Sequence, residues 1–179
     1  EASPVQSAPL ANRADGGSEE TITTADKNIH NTPHNYILLD DDKSIKQFVA
    51  SASSQNEICF DTETTSVDAN NCELVGMSFS IVPHEAYYIP VSANQEEAKK
   101  LVHQFKPLLE NKHITKIGQN IKFDQLVLKW YDVDVQGVLF DTMLAHYLID
   151  ADTKHNMNVL SENYLGYSPV SITELIGKK

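Results

Sequence analysis

Phe60-Asp61-Thr62-Glu63-Thr64 follows directly on Ile58-Cys59, and how this stretch is read decides the fold. A short apolar run that gives way to alternating acids marks the end of a buried strand. Side chains alternate across a strand, so Asp61 and Glu63 leave by the same face. Two carboxylates side by side repel each other unless a positive charge lies between them. A hard divalent cation held by carboxylate oxygens, such as Mg²⁺, meets that need. A solvent-facing strand end with a cap would use the same triplet, so the rest of the chain has to decide.

The 179 residues suffice for one domain with a sizeable core and a tail. No apolar run approaches the roughly 18 residues of a membrane span, so no membrane association is expected. The start has no basic stretch leading into an apolar one, which argues against a secretory signal. Opening at Glu1 rather than Met suggests a fragment of a longer chain. Two cysteines, Cys59 and Cys72, are too few for a disulfide framework and fit a reducing, cytoplasmic setting. Cys59 is expected as a small buried hydrophobe of the strand. The net charge of −11 argues against a broad basic face for nucleic acid. It leaves room for a grip on a short piece of nucleic acid through bound metal, which inverts the local charge.

Residues 1–34 are rich in Ala, Ser, Thr, Asn, Pro and Gly without apolar periodicity and read as a flexible linker. Pro33 forbids a helix through His30 and His34, which removes a metal pair there. The folded part begins with a short strand at Tyr36 to Leu39. Asp40-Asp41-Asp42 then offers an N-cap to a helix whose apolar face is Ile45, Phe48, Val49 and Ala52. Met77, Phe79 and Ile81 alternate with Ser78 and Ser80, and Tyr87-Tyr88-Ile89 follows after a turn. With the Asp61 strand these make an antiparallel meander. Asn94 and Glu97 suggest a capping box for a long helix running to Leu109, kinked or tightened by Pro107. A strand at Thr115 to Ile117, a helix over 120–131, a strand over 135–140 and a helix capped by Asp141 come next. Weaker helices are expected over 158–165 and 171–176. This order implies an α/β fold with a mixed sheet and flanking helices.

Gly118-Gln119-Asn120-Ile121-Lys122-Phe123-Asp124 is the second constellation. Asn120 and Asp124 are four apart and share a helix face just after a strand. Ligands in open α/β sheets gather where strands end and helices begin, so a neighbouring strand would bring Asp124 toward Asp61 and Glu63. With Asn120 as a cap and Asp124 as a dipole partner, the pattern is also explained structurally. The two motifs together resemble those of the 3′→5′ proofreading exonuclease domain of bacterial DNA polymerase I, a family A polymerase. Tyr88-Ile89-Pro90-Val91, Lys106-Pro107-Leu108-Leu109-Glu110 and Phe140-Asp141-Thr142-Met143-Leu144 resemble further segments of that family in the same order. The resemblance covers residues 36–179, so residues 35–179 are taken as the exonuclease domain. It implies an RNase H-like (DnaQ-like exonuclease) fold with a five-stranded mixed sheet.

By that resemblance the chain hydrolyses the last phosphodiester at a DNA 3′ end, using two Mg²⁺ ions for which Mn²⁺ can substitute. Asp61 is implied to bridge the two ions, Glu63 to hold the one that activates water, and Asp124 to reach the other. Val67 stands where the family sets an aliphatic side chain against terminal bases, and such a contact favours a single-stranded end. Asn120 is implied to contact the backbone of the substrate, and Thr62 and Phe123 join it as substrate-binding residues. The family's third motif, Tyr-x-x-x-Asp, does not occur before Gly177-Lys178-Lys179. Tyr147 with Asp150 and Asp152 has the wrong spacing, since position 151 is Ala151. His146 is likewise too early in family order and is expected to be a surface or packing residue. The C-terminal part of the domain is therefore expected to be missing and the fragment alone to be nearly inactive. A polymerase domain of the same parent chain is the implied partner, in a bacterial cytoplasm. An RNase D-type exoribonuclease and a non-catalytic module of a polymerase are the competing readings.

Overall fold

The alternation in Phe60-Asp61-Thr62-Glu63-Thr64 is realised as a strand with a buried side and a chemical side. A computed structural model describes residues 25–171 together with residues 174, 175 and 177. The elements are β1 (Asn35–Leu38), α1 (Asp42–Ala52), β2 (Glu57–Thr64), β3 (Leu74–Val82), β4 (Glu85–Pro90), α2 (Gln95–His103) and α3 (Lys106–Leu109). They continue with β5 (Thr115–Gly118), α4 (Ile121–Lys129), β6 (Leu139–Asp141), α5 (Thr142–Ile149), α6 (Met157–Leu160) and a π-helical turn, Ser161–Leu165. The strands lie in the order β1-β4-β3-β2-β5-β6. β2, β3 and β4 form the expected antiparallel meander, while β5 joins β2, β6 joins β5 and β1 joins β4 in parallel. The sheet thus has six strands where five were expected, because the short strand at Asn35 pairs along the free edge of β4.

Ile58, Phe60 and Thr62 point into the core, and Cys59, Asp61 and Glu63 point away from it. Cys59 is therefore exposed rather than buried. The apolar triplet obeys the strand period of two, which puts the cysteine on the carboxylate side. The core is built on aromatic contacts: Phe79 stacks on Phe105 at 5.3 Å between ring centroids and lies 6.2 Å from Phe60. α1 adds Phe48, and α2 and α3 add Val102, Leu108 and Leu109, all buried. Each such side chain stabilises the fold by about 1.5–3 kcal/mol through area removed from water.

Capping residues set the helix starts. Asp41 accepts from the Lys43 and Ser44 amides at 2.8 and 3.0 Å. Asn94 accepts from the Glu96 and Glu97 amides, but Glu97 turns to the Ser92 hydroxyl, so the capping box is only half formed. Pro107 ends the expected long helix instead of kinking it. α2 stops at His103 and α3 restarts with the proline in its first turn, where the missing N–H costs nothing. The strand expected over 135–140 shrinks to Leu139–Asp141. Val135 is buried but lies in a loop, and Gly137 takes φ +95, with the Ile114 carbonyl 2.7 Å from where a Cβ would sit. The helix expected over 158–165 is split into α6 and the π-helical turn, which ends at Gly166 with φ +60. Residues 1–24 of the expected linker, and parts of the weak helix over 171–176, lie outside the described residues. Lys27, within the linker stretch, forms a parallel bridge with Tyr167.

Two polar devices hold the parallel half of the sheet. Lys116 on β5 is fully buried, and its ammonium donates to the carbonyls of Ile114 (3.0 Å), Gln136 (2.6 Å) and Asn111. It ties both loops flanking Gly137 to the strand. Burial draws this amine down to about 8, while the three carbonyls favour its charged form. Asp141, at the end of β6, accepts from the amides of Met143 and Leu144 and so caps α5. The same carboxylate also accepts from the amides of Asn120 (3.1 Å) and Ile121 (3.0 Å). It therefore caps α4 from a neighbouring strand. Asn120 occupies the N-cap position with φ 58 and uses no side-chain bond there.

Replacing Lys116 by Met leaves three carbonyls without their donor and is expected to lower stability by about 2–3 kcal/mol. Asp141→Ala uncaps two helices at once and is expected to cost about 2 kcal/mol, twice an ordinary cap. Urea unfolding of each variant beside the wild type checks both values.

Candidate active site

β2 and β5 run side by side, so the chain leaves β5 at Gly118 beside the carboxylate end of β2 and enters α4 there. Asp61 is half-buried and Glu63 exposed on the outer face of β2. Asp124 comes from the first turn of α4 and is 2% exposed. Its Oδ1 accepts two bonds from one residue, the Thr62 amide at 2.9 Å and the Thr62 hydroxyl at 2.6 Å. The expected approach of Asp124 to the Asp61-Thr62-Glu63 strand end is therefore present, with Thr62 as the direct link. The other oxygen of Asp124 stays outside that pair of bonds.

Electrostatics mark the same spot. The Asp61 carboxyl is pushed up to about 7, first by burial, then by the negative charges of Asp124 and Glu63; the Thr62 amide offsets part of this. Burial also raises Asp124, aided by the charge of Asp141 and opposed by the hydroxyl and amide of Thr62. A half-buried carboxyl raised by two neighbouring carboxylates suits a hard divalent ion. Among the described residues no three His, Cys, Asp or Glu side chains converge closely enough to enclose one. The residues present fit part of a metal shell and leave it open.

A cleft of about 440 Å³ lies against this strand end, lined by Thr62, Glu63, Thr64, Thr65, Ser66, Val67, Asn120 and Phe123. It gathers all four residues expected to bind substrate. Thr62 lies in its wall with its hydroxyl committed to Asp124. Phe123 packs partly on the core, and Asn120 is exposed, its side chain making no capping hydrogen bond to α4. Val67 is 96% exposed, so it packs against nothing in the core. Tyr147 instead stands edge-on to His155, and Asp150 accepts from the Asp152 amide at 3.4 Å. His146, expected as a surface or packing residue, is buried.

Sequence reasoning missed two supports of this cleft. One is the second cap made by Asp141. The other is the anchorage of the 65–73 loop: the Trp130 indole donates to the Ala69 carbonyl at 3.0 Å, and the Tyr131 hydroxyl accepts from the Leu74 amide at 2.9 Å. Both residues close α4, so one helix carries Asp124 at its start and holds the Val67 loop at its end. Trp130-Tyr131 at a helix C-terminus gave no sequence signal beyond an aromatic pair.

Comparison with known proteins agrees with this geometry. A family model described as 3′-5′ exonuclease matches residues 36–179. DNA polymerase I of Rhizobium leguminosarum is 32% identical over 166 residues, covering 79% of this chain and 16% of the relative. DNA polymerase I of Pseudomonas aeruginosa is 38% identical over 130 residues, covering 68% of this chain and 14% of the relative. The chain thus spans less than a fifth of the length of these relatives. Among solved structures, Brucella melitensis NrnC with bound Mg²⁺ superposes with a TM-score of 0.61 at 23% identity, over 79% of this chain and 65% of that one. The catalytic core of RRP6 from Trypanosoma brucei gives 0.64 at 15%, over 79% and 37%. These two likenesses establish the RNase H-like fold. With the acids of β2, the aspartate of α4 and the cleft beside that strand end all in the matched region, the chain belongs to the 3′→5′ exonuclease domains of DNA polymerase I.

Proposed function

We propose that this domain hydrolyses the terminal phosphodiester at the 3′ end of single-stranded DNA, releasing a nucleoside monophosphate as a proofreading step. The observation that carries this reading is the bonding of Asp124 to Thr62, the residue between Asp61 and Glu63, beside an open cleft that Glu63 lines. Asp61, Glu63 and Asp124 would hold two divalent ions, Mg²⁺ or Mn²⁺. Such a pair, when bound, stabilises the attacking and leaving oxygens of an in-line displacement. Thr62 holds Asp124 against the strand that carries Asp61 and Glu63. Val67, exposed at the cleft rim, offers an apolar surface to an unstacked terminal base, with Phe123 on the opposite wall. Asn120, which lines the same cleft, offers its side-chain amide to the sugar-phosphate backbone. Among the described residues no helix is long and apolar enough to cross a membrane. We place the domain at residues 35–179, linked through residues 1–34 and working beside a polymerase domain of the same parent chain in a bacterial cytoplasm.

This reading carries the expectation that a fourth carboxylate, in a Tyr-x-x-x-Asp segment, completes the site. In digestions of 5′-labelled single-stranded DNA with Mg²⁺, this chain is expected to be nearly inactive. A chain extended through that motif should trim from the 3′ end. Asp61→Ala in the extended form should lose at least about a thousandfold, the scale of removing a principal charge-stabilising group. Equal trimming by the short chain would place the missing ligand within these residues. Faster trimming of RNA than DNA would favour the exoribonuclease reading instead.

The raised carboxyl of Asp61 gives a second test. Its folded form holds a proton that the unfolded chain has already lost between about pH 4 and 7, so its contribution to stability falls as pH rises through that window. The melting temperature should therefore drop from pH 5 to pH 7.5, by roughly 2–4 °C per kcal/mol lost. Added Mg²⁺ should recover part of the loss at pH 7.5 and little at pH 5. Asp61→Asn should flatten both responses.

A further inference from the structure

The C-terminal third of the molecule contains a titratable pair that the cleft does not use. His146 on α5 is 8% exposed, and its Nδ1 lies 2.7 Å from the Nδ1 of His155 in the segment that follows. The rings meet edge-on with centroids 4.9 Å apart. Tyr164 of the π-helical turn stands edge-on to His146 at 5.5 Å, and Tyr147 of α5 stands edge-on to His155 at 5.4 Å. The backbone of the same segment is tied to the sheet: the Gln119 side-chain amide donates to the His155 carbonyl at 2.7 Å. Gln119 in turn accepts from the Thr142 hydroxyl.

A hydrogen bond between two Nδ1 atoms needs one N–H and one bare nitrogen. The closed pair can therefore carry at most three protons on its four ring nitrogens. A fourth proton sets N–H against N–H at 2.7 Å and adds a second positive charge. We propose that His146 and His155 form a proton-operated clasp that fastens residues 150–167 to α5 and the end of β5. The clasp opens when the singly charged pair takes up one more proton.

The other titratable groups on the packed elements leave this logic in place. From α5 and its end these are Tyr147 and Asp150, and from the following loop Asp152 and Lys154. Asp150, Asp152 and Lys154 are exposed, and Asp150 is turned to the Asp152 amide. The π-helical turn offers Tyr164 and Glu162, and Glu162 is turned to the Ser168 hydroxyl at 3.4 Å. The turn between β5 and α4 offers Gln119, which does not titrate. No carboxylate reaches the two rings to neutralise a second charge among the described hydrogen bonds and ion pairs. Opening removes the fixed acceptor of Gln119, the neighbour of Asn120 at the start of α4.

Hydrogen exchange of the 179-residue chain, corrected for intrinsic pH effects, tests this. Protection of amides in 155–167 should fall by about tenfold per pH unit once the second ring titrates, while β2 and β3 keep theirs. His146→Gln retains an acceptor without a titrating ring, so its protection should be high and independent of pH between 7.5 and 5.5. His155→Ala should lose protection at both values. Equal pH loss in wild type and His146→Gln, or no loss in wild type, overturns the clasp. Imidazole ¹⁵N shifts of the wild type at pH 7.5 give an independent readout. One Nδ1 should be bare and the other protonated, and two bare Nδ1 atoms would also overturn it.

Discussion

One oxygen of Asp124 takes two hydrogen bonds from Thr62, and much of the site depends on that junction. The two bonds come from an amide and a hydroxyl of the same residue, so the carboxylate is fixed in direction as well as distance. A partly buried carboxylate among like charges would otherwise turn toward solvent, because burial without partners disfavours its ionised form. Thr62 faces inward and its neighbours Asp61 and Glu63 face outward. The period of two in one strand therefore supplies a structural anchor and two chemical groups from three consecutive residues.

That junction needs α4 to start at the right place, and the start is set from elsewhere in the chain. Asp141 lies on β6 and holds the first amides of α4 and of α5. Lys116 holds together the loop before β5 and the loop before β6. A chain with net charge −11 thus places one of its few cations in the interior, where it meets only carbonyl oxygens. Parallel strands lack the tight turns that fix register in hairpins. Here a cap shared between helices and a buried ammonium do that work.

Most of the architecture was legible in the sequence because it rests on local periodicity. The alternation in β3, the caps at Asp41 and Asp141 and the apolar faces of α1 and α2 are all written within a few residues. The approach of Asp124 to β2 was legible because the strand-end rule places α4 beside that strand. What escaped depends on partners far apart in sequence. The second cap of Asp141 spans about twenty residues, and the Trp130 to Ala69 bond spans 61. Cys59 was misplaced because a run of three apolar residues hides a change of face. The sixth strand was visible as a strand, but its pairing with β4 was not, since register between distant edges leaves no local pattern.

The anchorage of the Val67 loop has an optical consequence. Trp130 is the chain's single tryptophan, and its indole is bonded to the backbone of that loop while 56% exposed. Its emission therefore comes from one place and reports whether the 65–73 loop is seated on α4. The loop that carries Val67 to the cleft is thus read by a fluorescent probe of the chain's own, with no label attached and no second indole to obscure it.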